Sequence, residues 1–294
     1  MSEAAAAQLP SVSESAAGAA KSQPFCVHCV SGDVLPGESK GGESKIGPYN
    51  TYIASPSSTT SSSTVGIIFA CDAFGLALKN NKILADTLAD KLGLTVYVPD
   101  YFQGDPVKPE VMNDAPGTAK EVNAQSFFQK AASGLKLVSM VPWFIKHRPS
   151  TKYNDFKTFV EALKEEKKLE KLGAVGYCYG GKIAAYANVN ELVQATVLLH
   201  PSLISVNDDI KPLKAPTLFL CAESDPVFPE KLREQSRSAL ATRGSDAPAH
   251  DFVLYENTVH GFGARPKLSD PLVKKAFEQS VDRTVEWFQT HLLA

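Results

Sequence analysis

The stretch VGYCYGGKIAAYA, residues 175–187, sets Cys178 between Gly176 and Gly180 in the pattern Gly-x-Cys-x-Gly, with Gly181 directly after. A thiol on a sharp turn is a nucleophile when a base, an acid and oxyanion donors stand around it, and an inert packing residue when they do not. LGAVGYC (172–178) reads as a buried strand and residues 181 to 188 as a helix, so Cys178 falls where strand hands over to helix. Glycines on either side give such a turn its room. The turn lifts the sulfur toward a helix N-terminus, whose dipole favours negative charge there. It also aims the N–H of Tyr179 at the space where an oxyanion would develop. Pentapeptides of this kind recur by chance, so the motif needs partners.

The partners come in order. APTLFLCAESDPVFP places Asp225 just past a later strand, and LYENTVHGFGAR places His260 a few residues past the last one. Each has a bland alternative: Asp225 as a cap for a helix starting near Pro229, His260 as a surface histidine. Nucleophile, acid, histidine, each at the C-terminal end of a strand, is the chain order of the α/β-hydrolase triad. In those roles Cys178 attacks an acyl carbonyl, His260 moves protons, and Asp225 orients the imidazole. The loop FACDAFGLALKNN follows an early strand and offers the N–H of Ala73 as a second oxyanion donor. Asp72, a carboxylate at the end of an apolar run, is expected to have a partner or a task. MVPWFIKHR (140–148) joins aromatic bulk to Lys146 and Arg148 and reads as core packing or as the wall of a substrate pocket.

These residues need a sheet to hold them. KIGPYNTYIASP (45–56) is expected as one edge strand, and VGIIFAC (65–71) and LTVYVPD (94–100) as strands around a helix that Gly93 stops. A helix is expected near 118–135 and another over 153–168. ATVLLH (195–200), APTLFLCAES (215–224) and HDFVLYEN (250–257) follow as strands, with helices over 229–242 and 268–292. Buried strands alternating with helices imply an α/β class fold, with a mostly parallel central sheet and helices on both faces. Residues 1–22, Ala- and Ser-rich, are expected to be a flexible tail, and residues 23–294 one domain. SPSSTTSSST (55–64) is expected to be a mobile connector.

Composition narrows the classes. The 294 residues are 44% hydrophobic and 21% charged, enough apolar material for a substantial core, and the net charge is −2. That balance favours neither nucleic acid nor an anionic membrane as partner. No apolar run approaches the roughly 20 residues of a membrane span. The five cysteines show no framework spacing, and the start of the chain lacks the marks of a secretory or mitochondrial signal, so a cytoplasmic protein is expected. Cys71 and Cys221 lie in apolar strands and read as packing residues. Cys26 and Cys29 form a single C-x-x-C without the second pair a structural zinc site needs, and no metal is expected.

CDAFG (71–75), VPDYF (98–102), GYCYGG (176–181), ESDPVFP (223–229) and HGFGAR (260–265), with PWFIKHR (142–148), together resemble the dienelactone hydrolases, and the fungal members in particular. The resemblance covers roughly residues 25 to 294. It implies an α/β-hydrolase fold, a Cys178–Asp225–His260 triad, and hydrolysis of an enol-lactone or related small-molecule ester without a cofactor. It further implies that the carboxylate at Asp72 helps to deprotonate the thiol, and that Arg265 binds a substrate carboxylate. Aspartate is a methylene shorter than the family's glutamate, and the family's second substrate arginine would fall near Gln103, where none occurs. Trp143 and Arg148 are carried as pocket candidates. A thioesterase or acyl transferase using the same three residues, and a binding protein on the same fold, are the competing readings.

Overall fold

The computed structural model describes residues 32–58, 64–112 and 115–294. The expected tail, the centre of the Ser/Thr-rich connector and the Cys26–Cys29 pair lie outside them. Eight strands form one sheet in the order β1-β2-β4-β3-β5-β6-β7-β8. They are β1 (Gly42–Ile46), β2 (Tyr49–Ala54), β3 (Val65–Ala70), β4 (Val96–Pro99), β5 (Lys171–Tyr177), β6 (Ala195–Leu199), β7 (Thr217–Ser224) and β8 (His250–Val259). From β4 to β8 neighbouring strands run parallel, while β1 and β2 are antiparallel additions at one edge. This is the α/β-hydrolase fold.

The edge differs from expectation in one respect. A single strand over 45–56 is in fact a hairpin, because Gly47, with φ at 53°, turns the chain between β1 and β2. Its alternation had the period of one strand on both sides of that turn, so the reversal was not visible in the pattern. The internal strands β3, β5 and β6 are buried almost end to end, which accounts for their unbroken apolar sequences.

Helices α1 (Lys79–Leu92) and α8 (Pro271–His291) touch each other across one face of the sheet, and α5 (Pro149–Lys167) and α6 (Tyr179–Val189) across the other. The helix expected near 118–135 is two: α2 (Ala119–Ala124) and α3 (Phe127–Ser139). The break has a chemical cause. Thr118 caps α2 by accepting from Glu121 N at 3.1 Å, and a second capping pair restarts the chain, with Gln129 N donating to Ser126 Oγ at 3.3 Å and Ser126 N to Gln129 Oε1 at 2.8 Å. Helices α4 (Val141–Lys146) and α7 (Glu230–Ala241) complete the set.

Register delivers the site residues to one edge. Ala70 pairs with Gly176, Tyr177 with Leu199, and Ser224 with Val259. The residues that follow these pairs are Cys71 and Asp72, Cys178, His200, Asp225 and His260. A bulge between Ala222 and Ser224 sets the last of these pairings. Behind the edge, Asn188 on α6 ties the helix to two strands: its Nδ2 donates to Thr196 Oγ1 at 2.9 Å, Thr217 Oγ1 at 3.0 Å and Ala215 O at 3.1 Å, and its Oδ1 accepts from Lys214 N and Ala215 N. Asn188 is fully buried. Replacing it with alanine strands several of these groups without water, and Asn188→Ala is expected to lower stability by about 2–4 kcal/mol. A urea or guanidinium titration that finds a loss below about 1 kcal/mol would count against this role.

Candidate active site

Cys178 sits between β5 and α6 with φ at 52° and ψ at −114°, a conformation uncommon for a residue with a side chain. Neighbouring chain segments hold it there. A Cβ on Gly180 would stand 1.9 Å from the carbonyl oxygen of Ala70, and one on Gly176 would stand 2.3 Å from the carbonyl oxygen of Gly180. No side chain fits at either place, so the turn presses directly on the end of β3. Cys178 N donates to Leu199 O at 3.2 Å, and its own carbonyl accepts from Gly181 N at 3.0 Å and Ser202 N at 2.9 Å. The sulfur is left partly exposed.

Asp225 makes the contacts of both readings weighed for it. Its Oδ1 accepts from Val227 N at 2.9 Å and Phe228 N at 3.0 Å, which shapes the entry to α7, while its Oδ2 meets His260 Nδ1 at 2.9 Å. With Nδ1 engaged, His260 turns Nε2 toward Cys178. The sulfur and the imidazole also interact directly, and beside both stands a side chain that the sequence analysis missed: Ser202 Oγ lies 3.2 Å from Cys178 Sγ and 3.4 Å from His260 Nε2. The available signal was a hydroxyl in LHPS, just past β6 and beside the strand that carries the cysteine, but one serine in a loop has no spacing to mark it.

The charges fit a proton-moving pair. Burial pulls the His260 imidazole down, but the Asp225 carboxylate and the Cys178 sulfur outweigh it and leave its pKa well above the usual histidine value. Burial pushes Asp225 up, and the His260 charge and the N–H groups of Phe228 and Val227 outweigh it, leaving the carboxylate below its ordinary range. His200, whose ring centroid is 5.0 Å from that of His260, is fully buried, and burial pushes it down to about 3, so it stays neutral.

The N–H groups of Ala73 and Tyr179 have no acceptor among the described residues. Both belong to segments that meet where Gly180 abuts Ala70 and Cys71. Asp72 is buried, and its Oδ1 accepts from Phe74 N at 3.1 Å and Asn81 Nδ2 at 3.0 Å; no hydrogen bond joins it to Cys178. Burial raises its pKa against the pull of Asn81, Arg265, Phe74 and His260. Arg265 lies with its guanidinium 4.4 Å from the Phe74 ring, and its Nε and Nη1 are buried without a partner. Burial lowers its pKa, against the opposing effect of Asp72 and Cys178.

Trp143 lies in an aromatic wall, with ring centroids 4.9 Å from Phe102 and 5.9 Å from Tyr179. Its Nε1 donates to Asp105 O at 2.8 Å, and Tyr179 Oη donates to His147 O at 2.6 Å, so α4 is fastened to the residue that follows the cysteine. Lys146 is taken up by Asp105 at 2.5 Å. Arg148 is exposed, and its backbone carbonyl accepts from Thr151 Oγ1 at 2.8 Å at the start of α5. Two open clefts, of about 540 and 630 Å³, lie beside Asn257 and beside Asp105, and neither is lined by Cys178 or His260. Chemistry, rather than volume, marks the site. No group of three or more His, Cys, Asp or Glu among the described residues is arranged to hold a metal ion.

A model of the Dienelactone hydrolase family matches residues 49–292. The chain belongs to the dienelactone hydrolase family. Similar curated members are "Hydrolase pyvD" of Aspergillus violaceofuscus, 29% identical over 265 residues with 90% of this chain and 96% of that protein covered, and "Dienlactone hydrolase 1" of Gibberella moniliformis, 27% identical over 269 residues with 90% and 93% covered. The dienelactone hydrolase solved from Anabaena variabilis superposes with a TM-score of 0.56 at 15% identity, covering 86% of this chain and 97% of that one. Membership of the dienelactone hydrolase family makes the chain an enzyme of the ester and lactone hydrolase class.

Thiol exposure separates the cysteines. Cys71 is fully buried, and burial with the Asp72 charge raises its pKa far beyond the ordinary range; Cys221 is pushed up to about 12, chiefly by burial. Iodoacetamide is therefore expected to label Cys178 well before Cys71 or Cys221, as read by peptide mass spectrometry. Equal rates at the three positions would contradict it.

Proposed function

We propose that the protein hydrolyses a small ester or enol-lactone bearing a carboxylate, through a covalent acyl-enzyme on Cys178. The observation that carries the reading is one line of contacts along the carboxyl edge of the sheet: Asp225 to His260 at 2.9 Å, His260 to Ser202 at 3.4 Å and Ser202 to Cys178 at 3.2 Å. The Cys178 thiolate adds to the acyl carbon, and the carbonyl electrons move onto oxygen beside the free N–H groups of Ala73 and Tyr179. As the tetrahedral adduct collapses, the ester C–O bond breaks and His260 gives its proton to the leaving oxygen. The neutral imidazole then takes a proton from water, whose hydroxide attacks the thioester. Collapse of this second adduct returns carboxylic acid and Cys178.

Arg265 supports the substrate class. A buried guanidinium with two nitrogens lacking a partner is costly unless something fills the place, and a planar carboxylate is the complementary group. Asp72 and the Cys178 sulfur both act electrostatically on Arg265, so a substrate that neutralises Arg265 would change the balance between carboxylate and thiol. Trp143, packed on the buried Tyr179, supplies an apolar wall for the rest of the substrate. Free thiols at Cys71, Cys178 and Cys221 accord with a reducing, cytoplasmic setting.

Cys178→Ala is expected to cut kcat/KM on an aryl acetate by about 10³ or more without lowering the melting temperature, since the residue is small and partly exposed. Near-normal turnover in that variant would place the nucleophile elsewhere. Arg265→Met is expected to reduce kcat/KM on a carboxylate-bearing lactone about tenfold more than on a neutral aryl ester, the worth of one charge-assisted contact. An equal loss on both would remove the carboxylate from the substrate description.

A further inference from the structure

Resting on the cysteine-hydrolase reading, we propose that Ser202 is a positioning residue: its hydroxyl bridges thiol and imidazole, passes the Cys178 proton to His260 and then holds the thiolate in line for attack. Distance is the first ground. Ser202 Oγ is within 3.2 Å of Cys178 Sγ and 3.4 Å of His260 Nε2. It is also only 5% exposed, so these are its partners rather than bulk water.

The backbone gives independent support. Two non-glycine residues flank Ser202 in left-handed conformations, His200 with φ at 34° and Leu203 with φ at 59°. Such residues cost free energy and persist only where surrounding contacts fix them. Here Ser202 N is fixed to Cys178 O at 2.9 Å and His200 N to Leu220 O at 2.8 Å. Pro201 presses against the start of α6 so closely that a Cβ on Gly181 would fall 2.6 Å from its own Cβ. The loop is therefore bent at both ends and pinned in the middle, and what that geometry presents is one hydroxyl within reach of both sulfur and imidazole. His200 does not compete for the proton, being fully buried with neither ring nitrogen paired and its pKa pushed down to about 3, chiefly by burial.

The step balances. The S–H bond of Cys178 breaks and its proton goes to Ser202 Oγ as the Ser202 O–H proton goes to His260 Nε2. The products are thiolate, hydroxyl and imidazolium, with no change in total charge. The new O–H points at the sulfur and donates to it. The raised His260 pKa, with burial outweighed by Asp225 and Cys178, accords with an imidazolium standing next to this pair.

The test uses the full chain with Ser202→Ala and Ser202→Thr. Alanine keeps the backbone bond to Cys178 O and so removes the bridge alone. Two profiles against pH are read: the rate of Cys178 alkylation by iodoacetamide, and kcat/KM on an aryl acetate. In Ser202→Ala the acidic limb of both is expected to move to higher pH by about one to two units, with kcat/KM near neutrality falling about 10- to 100-fold. Ser202→Thr, which keeps a hydroxyl, is expected to return both toward the parent. Unchanged profiles in the alanine variant, a rate loss equal at all pH values, or a folded threonine variant that behaves like alanine would each overturn the proposal. The parent reading fails differently: Cys178→Ala would stay active while Ser202→Ala is dead, making the serine the nucleophile. Loss in Cys178→Ala alone, with Ser202→Ala normal, removes the bridge and leaves the cysteine mechanism in place.

Discussion

The approach of Gly180 to the carbonyl of Ala70 is the constraint on which the carboxyl edge of this sheet depends. A side chain at that point would stand 1.9 Å from a backbone oxygen, so β3 and the turn after β5 meet backbone to backbone. That closeness has two effects at once. It forces Cys178 into a left-handed conformation with the sulfur raised out of the packing, and it brings the loop bearing Ala73 beside the first N–H of α6. The candidate sulfur and the two N–H groups beside it thus owe their placement largely to one close contact, with Leu199 and Ser202 adding backbone bonds to Cys178.

The remaining parts are brought in by strand register. Ser224 opposite Val259 makes Asp225 and His260 neighbours, and Tyr177 opposite Leu199 makes the residues after β6 neighbours of Cys178. A side chain in each loop then has only a few ångströms to span. Electrostatics sharpen the arrangement: a nearly enclosed carboxylate, an imidazole whose pKa it raises, and a second histidine packed behind whose pKa burial lowers. Asp225 and His260 are paired with each other, while Arg265 keeps two buried nitrogens without a partner among the described residues.

The parallel strands were legible in the sequence because burial on both faces leaves an unbroken apolar run, and the three residues at their ends were legible because each follows such a run. What escaped has physical reasons. The β1–β2 hairpin hid behind continuous alternation, since Gly47 reverses the chain without disturbing the period. The α2–α3 break depended on the Ser126–Gln129 cap, which only shows once the chain is folded. Ser202 sits in a loop whose shape is set by left-handed residues at His200 and Leu203, and nothing in LHPSL marks them, since neither is glycine. Arg148 read as a pocket cation from its neighbours in sequence, yet it begins α5 on the surface while Trp143, five residues earlier, faces Tyr179. Asp72 was expected to have a partner or a task; it is buried, and its hydrogen bonds go to Phe74 and Asn81 rather than to the sulfur.

The fastening of α4 has a consequence for how such an enzyme diversifies. Trp143 and His147 clasp Asp105 and Tyr179, whereas the described side chains of α3, Phe127 and Phe128 among them, lie in the open. The candidate site lies at strand ends packed too closely to tolerate change, while α2 is tied to Lys267 and Asn257 and α3 is joined to the aromatic wall through α4, with its described side chains exposed. Substitutions, insertions or deletions there alter what the aromatic wall faces without reaching the sulfur or its imidazole. New substrates are thus open to selection at little risk to the chemistry.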